Sequence, residues 1–270
     1  MARVLDAPAF DLAHTLESGQ FFRFAPDGRG AYFISAAGRL LCARQEGPRL
    51  RVEGAPVSFA RRFFALDHDG ETIARTLERD PVLRPALRAV PGLRILRQDP
   101  WECTAAFICS ICSNIPRIAR TIEDLSRTWG RPLRLNGWKS HAFPRPEALT
   151  DEAALRRRGL GFRAPYLAAT ARLAAEGYLD DLPRLPWAEA RRRLLELPGV
   201  AEKVADCVLL FACGKLDAFP VDTRIRQAMR KLFFGGRVVP DREIRAFARD
   251  RWGPLAGYAQ QYLYAWWPRA

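Results

Sequence analysis

One short stretch restricts this chain more than any other: Leu194-Leu195-Glu196-Leu197-Pro198-Gly199-Val200-Ala201-Glu202-Lys203-Val204-Ala205-Asp206. A helical pattern ends there, a Pro-Gly turn follows, and a second helix starts at once. Such a turn aims free backbone N–H groups and the positive end of a helix outward, features suited to a DNA phosphate. On the second helix Val204, Val208 and Phe211 share a buried face by i, i+4, i+7 spacing. Lys203 and Cys207 are i, i+4 neighbours on another face. Further on comes Pro220-Val221-Asp222-Thr223-Arg224, with Asp222 nineteen residues beyond Lys203.

The charge agrees with a polyanionic partner. Lys and Arg total 43 against 30 Asp and Glu, a formal charge of +13. Nucleic acid fits that balance better than a membrane surface. Only four of the basic residues are lysines: Lys139, Lys203, Lys215 and Lys231. A lysine in so arginine-rich a chain raises the question whether Arg could replace it, since guanidinium does not lose its proton and cannot act as an amine nucleophile. The chain holds no run of about 18 apolar residues and no signal-peptide core at its start, so no membrane association is expected. Six cysteines in 270 residues do not make a disulfide scaffold. The expected location is a reducing compartment: cytoplasm and nucleoid in a bacterium, nucleus in a eukaryote.

Residues 20–54 read as short strands with tight turns, an antiparallel meander broken at Pro26-Asp27-Gly28, Ala37-Gly38 and Gly47-Pro48. Helical pieces follow near 58–66, 70–79 and 81–89, and Pro91-Gly92 ends that region. Beyond residue 99 helices are expected almost throughout. Pro100 opens one through Ile111, and Ser113-Asn114-Ile115-Pro116 breaks it and starts the next. The expected class is α+β: an antiparallel-sheet domain over residues 1–98, then a larger all-helical domain over 99–270 containing the helix-hairpin-helix.

In its hairpin, its trailing aspartate and several further patches the chain resembles the helix-hairpin-helix DNA glycosylases, and most closely the 8-oxoguanine DNA glycosylase family. The patches are Ser18-Gly19-Gln20-Phe21-Phe22-Arg23, Arg97-Gln98-Asp99-Pro100, Phe107-Ile108-Cys109-Ser110 and Gly159-Leu160-Gly161-Phe162-Arg163-Ala164. Lys203-Val204-Ala205-Asp206-Cys207, Pro220-Val221-Asp222 and Trp252-Gly253-Pro254, with Gly257-Tyr258-Ala259-Gln260 following, complete them. One departure lies in the hairpin, where Ala201 replaces the usual second glycine; alanine is tolerated there if its φ is negative. Gly199 and Ala201 then belong to the DNA-binding turn. The family's hairpins often hold a monovalent cation on backbone carbonyls, here those of Leu195, Leu197 and Val200. No other metal and no cofactor is expected.

The resemblance implies a bifunctional glycosylase and AP lyase. The damaged nucleotide is flipped from the stack, Lys203 attacks C1′, and a Schiff base and elimination follow. Asp222 stabilises the oxocarbenium-like sugar and assists proton transfers; from position alone it is equally an N-cap. For base recognition the resemblance implies Gly19, whose carbonyl accepts the N7–H that 8-oxoguanine has and guanine lacks. Gln260 reads the Watson–Crick edge, Cys207 and Tyr264 clamp the two faces, and Pro220 lies beside them. On the DNA, Phe162 is the wedge for the vacated stack, and Arg117 and Arg163 donate to the orphaned cytosine. The third implied contact, an Asn, falls at Cys112, with Asn114 two residues on.

Two other readings stay open: a glycosylase for alkylated or mispaired bases on the same fold, and a non-enzymatic helix-hairpin-helix DNA binder. Lys203 counts against the first, because monofunctional members lack that amine. Asp222, Gly19 and Gln260 count against the second. The expected partner is double-stranded DNA containing oxidised guanine, bound by a monomer.

Overall fold

Tight turns set the first layer. Ala37 and Gly38 both take left-handed backbone, φ 46° and 72°, the two-residue hairpin geometry that matches strand twist. They join β3 (Ala31–Ala36) to β4 (Arg39–Glu46), with Ala36 opposite Arg39. Gly47-Pro48 returns the chain into β5 (Arg49–Glu53), and β2 (Phe24–Pro26) flanks β3 on the other side. This is the meander read from the sequence, with one addition. The edge strand β1 (Arg3–Asp6) pairs antiparallel to β5, giving the order β1-β5-β4-β3-β2. These elements belong to a computed structural model that describes residues 2–268.

One face of the sheet buries Leu5, Ile34, Leu41, Leu50 and Val52 against Leu12 and Leu16 of α1 (Leu12–Glu17) and Phe63 of α2 (Val57–Phe63). The remaining helices are α3 (Gly70–Leu77), α4 (Arg84–Ala89), α5 (Pro100–Cys109), α6 (Ile115–Trp129), α7 (Glu152–Arg157) and α8 (Ala164–Ala175). They continue with α9 (Trp187–Leu195), α10 (Glu202–Phe211), α11 (Thr223–Phe233), α12 (Asp241–Trp252) and α13 (Ala256–Trp266). Helices α5 and α10 form its centre: Cys103–Cys109 and Val204–Phe211 are buried almost without interruption.

The α+β organisation is as expected, with two refinements. The cores do not divide at residue 98: Leu77, Leu83, Leu93 and Ile95 pack with the helical core. And within the helical part residues 132–141 form a hairpin, β6 (Pro132–Leu135) with β7 (Trp138–His141). Its turn, Asn136-Gly137 at φ 49° and 79°, is a strong local hairpin signal. The hairpin lies on the sheet, with Leu133 and Ala142 against Leu40 and Trp138 stacked on Phe33 at 4.5 Å. A buried ion pair, Arg23 to Glu102 at 3.0 Å, fastens the sheet side to α5; burial raises the Glu102 pKa and Arg23 opposes that rise.

Candidate active site

Between α10, α13 and the loop from α1 to β2 lies a small cavity that gathers residues from across the chain. Gly19, Lys203, Cys207, Pro220, Asp222, Gln260 and Tyr264 all line it. Every catalytic and base-contact position expected from the sequence is therefore in one place.

Helix α10 carries Lys203 in its first turn and Cys207 one turn later. Ala201 caps this helix at φ −84°, so the alanine costs no strain. Lys203 donates from Nζ to Ser110 Oγ at 3.1 Å, and Nζ lies 4.9 Å from the centroid of Phe107. The Cys207 thiol is buried, which pushes its pKa up to about 12 against the pull of Lys203. It thus meets a ligand as a neutral, polarisable surface and not as a competing nucleophile. Behind α10, Asp206 bonds Arg245 of α12 at 2.7 Å, and Glu202 bonds Arg191 of α9 at 2.9 Å and Arg245 at 2.6 Å. These pairs tie both hairpin helices to α12. Burial lifts Asp206 to about 6, with Arg245 and Arg191 opposing.

Asp222 caps α11: its Oδ1 accepts from the Ile225 N–H at 2.8 Å. The cap fixes the carboxylate, and the same carboxylate lines the cavity. The structural and chemical roles coexist in one side chain.

Gln260 is 4% exposed. Its Nε2 donates to the Pro220 carbonyl at 3.3 Å. A carbonyl only accepts, so the amide nitrogen must face it and Oε1 turns away. Oε1 has no hydrogen-bond partner among the described residues. A buried orphan acceptor beside Gly19 calls for an N–H donor on the ligand. Gly19 itself has φ 83°, and a methyl group there would lie 2.7 Å from Tyr264 Cε1. The cavity is about 40 Å³, close to the room of a single water. A purine enters only when the walls, Tyr264 foremost, draw back.

Three further lining residues were not foreseen as part of the site: Phe107, Phe211 and Gln261. Phe107 and Phe211 stack at 5.6 Å, and Gln261 donates to the Ser18 carbonyl at 2.9 Å. Ser110, the partner of Lys203, sits 93 positions away in sequence, and nothing local marks it for that role.

The DNA-facing expectations divide. Phe162 is 52% exposed, as a wedge requires. Gly199 has φ 78°, and a methyl there would lie 2.5 Å from the Tyr166 ring, so glycine is obligatory in the turn. The Leu197 carbonyl accepts the Val200 N–H at 3.0 Å, which keeps the turn closed; Leu195 is exposed and Val200 buried. Arg117 is exposed on the first turn of α6, and Asn114 caps that helix with its side chain on the Arg117 N–H. Arg163 differs from expectation. It is 3% exposed, and its guanidinium donates to the carbonyls of Cys109 at 2.9 Å, Ile111 at 3.4 Å and Leu160 at 3.2 Å. Those fixed acceptors draw it into the protein, where it braces the loop carrying Cys112 and Asn114. It is not a direct contact to the orphaned base in this conformation.

Residues 4–104 match the family model of the 8-oxoguanine DNA glycosylase N-terminal domain. A probable N-glycosylase/DNA lyase of Methanothermobacter thermautotrophicus is 38% identical over 224 residues, 74% of this chain and 71% of that one. Among solved structures, MBOgg1 in complex with a low-affinity DNA ligand superimposes with a TM-score of 0.94 at 35% identity, over 98% of this chain and 94% of that chain. The Clostridium acetobutylicum 8-oxoguanine glycosylase/lyase, bound to double-stranded DNA with cytosine opposite 8-oxoguanine, gives 0.91 at 32% identity, over 98% and 96%.

Proposed function

The chain belongs to the 8-oxoguanine DNA glycosylase family, and on that premise we infer that it is a bifunctional DNA glycosylase and AP lyase that excises 8-oxoguanine from double-stranded DNA. The observation that carries the reading is the convergence of Lys203, Asp222, Cys207, Gln260 and Gly19 on one cavity.

The mechanism follows from what each group can do. With the nucleotide flipped out, the Lys203 amine lone pair forms a bond to C1′ as the bond from C1′ to the base nitrogen breaks. The base leaves with that electron pair and takes up a proton. The fixed Asp222 carboxylate offsets the positive charge that develops on the sugar. The sugar ring then opens to a Schiff base, a C2′ proton is lost, the 3′ phosphate departs, and the strand is nicked. Water returns the amine. The orphan Oε1 of Gln260 accepts from the purine's Watson–Crick donors, and the Gly19 carbonyl accepts from N7–H. Guanine presents a lone pair at N7, so two acceptors would face each other and the site would reject it. One chain supplies every residue of the cavity, which is compatible with a monomeric enzyme.

Borohydride trapping on a duplex with a single 8-oxoguanine tests this reading. A covalent protein–DNA adduct that depends on the lesion is expected. No adduct, with the same duplex bound, would leave only a DNA-binding protein. An alkylated-base glycosylase would instead release its base without any trapped adduct.

A further inference from the structure

A cleft much larger than the catalytic cavity lies outside the active site. It is a groove of about 520 Å³ between α6 on one side and β2, β3 and β7 on the other. We propose that this groove binds the sugar–phosphate backbone of duplex DNA flanking the lesion, with Arg120, Arg127 and Lys139 as its phosphate contacts. The proposal extends the DNA-repair reading above and rests on it for the identity of the ligand.

Position comes first. Phe22 lines the groove and packs edge-on against Phe107, a wall of the catalytic cavity, at 5.7 Å. Ile115, the first residue of α6, lies against Gly19 of that cavity. The groove thus starts at the catalytic mouth and runs away along α6. On that helix Arg117, Arg120 and Arg127 fall on one stripe by i, i+3, i+10 spacing. The stripe begins at the end expected to meet the orphaned base and continues into the groove.

Charge comes second. Arg120, Arg127 and Lys139 are exposed, and none makes a side-chain hydrogen bond or ion pair to a described residue. Many other arginines on this surface are engaged, as Arg158 is with Asp124 at 3.5 Å. One free carboxylate, Glu123, opposes them. With Asp124 held by Arg158, the uncommitted charge of the groove is positive. The opposite wall presents Phe24, Phe33 and Trp138, apolar surface beside the basic track.

The test is equilibrium binding of an undamaged duplex, which requires no catalysis, so its outcome is independent of whether the protein excises 8-oxoguanine. Each phosphate contact contributes about 0.9 to the salt slope, so Arg120→Ala/Arg127→Ala/Lys139→Ala should lower the slope by about 2.7. Between about 50 and 200 mM salt the wild type should then lose about 40-fold more affinity than the variant. Glu123→Gln should act in the opposite direction and tighten binding. A control variant, Arg61→Ala/Arg62→Ala/Arg88→Ala, removes the same charge from exposed positions outside the groove. If the control lowers the slope as much as the groove variant, or if Glu123→Gln weakens binding, the groove does not hold DNA and the effect is one of bulk charge.

Discussion

Lys203 reaches Ser110 across the helical core, Nζ to Oγ at 3.1 Å, and Ser110 spends its own proton on the Phe107 carbonyl at 2.6 Å. The hydroxyl therefore meets the lysine with a lone pair, and the amine is anchored over the Phe107 ring at the edge of the cavity. Neither partner is adjacent in sequence, yet together they fix where the nucleophile waits.

The first prediction concerns that amine. Lys203→Gln should abolish strand nicking and borohydride cross-linking while duplex affinity stays within a few-fold of wild type. Lys203→Arg should be almost as damaging, because guanidinium keeps its proton. Denaturing gels of the trapped adduct read both; an adduct formed by the Gln variant would move the nucleophile elsewhere.

A second prediction separates the two duties of Asp222. Asn ranks with Asp as an N-cap, so Asp222→Asn should keep the bond to the Ile225 N–H and nearly all the stability. It loses the charge, and single-turnover excision should fall roughly 10²-fold or more. Asp222→Ala should lose the charge and also about 1 kcal/mol of stability. Excision that survives in the Asn variant would reduce the carboxylate to a cap.

Arg163 gives the third. It is buried and donates to the carbonyls of Cys109, Ile111 and Leu160. Arg163→Ala strands buried acceptors at a cost of about 1–3 kcal/mol each, so denaturant unfolding should show at least about 2 kcal/mol lost. Arg163→Lys should recover little, because an ammonium cannot span the fork of acceptors. A variant of wild-type stability that had lost its preference for cytosine would mean instead that the guanidinium swings outward when DNA binds.

These residues also mark how far the sequence could be read. Lys203, Asp222 and the hairpin announce themselves because their chemistry is tied to local order: a turn, a helix start, a fixed spacing. The base-contact positions of the cavity were legible through the family resemblance, which supplied Gly19, Gln260 and Tyr264 from distant parts of the chain. Ser110, Phe107 and Phe211 were not, since their part is defined only by how α5 crosses α10. The burial of Arg163 was not legible, because one arginine among many carries no local sign of whether it faces solvent or a set of carbonyls. The β6–β7 hairpin is a different case: Asn136-Gly137 was a usable turn signal, obscured by short strands and by helices on both sides.

The last prediction concerns Cys112, where the resemblance implies an asparagine. The structure gives a reason of its own to expect one. Cys112 has φ 50° and is exposed, in the turn closed by the Ser113 N–H to the Ser110 carbonyl at 3.2 Å. Left-handed backbone costs an ordinary L-residue about 1–2 kcal/mol, whereas asparagine adopts it far more readily. Cys112→Asn should therefore raise stability, by up to about 1 kcal/mol, where most substitutions lower it. The same change places an amide in the loop that leads into α6, and one good side-chain–base contact is worth about 1–3 kcal/mol of discrimination. Single-turnover excision of 8-oxoguanine opposite C, T, G and A should show the C-to-A rate ratio widening by roughly tenfold or more. The two readouts are independent. A higher melting temperature with an unchanged ratio would make position 112 a turn residue only. Asn114 would then be the candidate reader, since its Oδ1 is committed to the Arg117 N–H at 3.0 Å while its amide nitrogen makes no bond to a described residue.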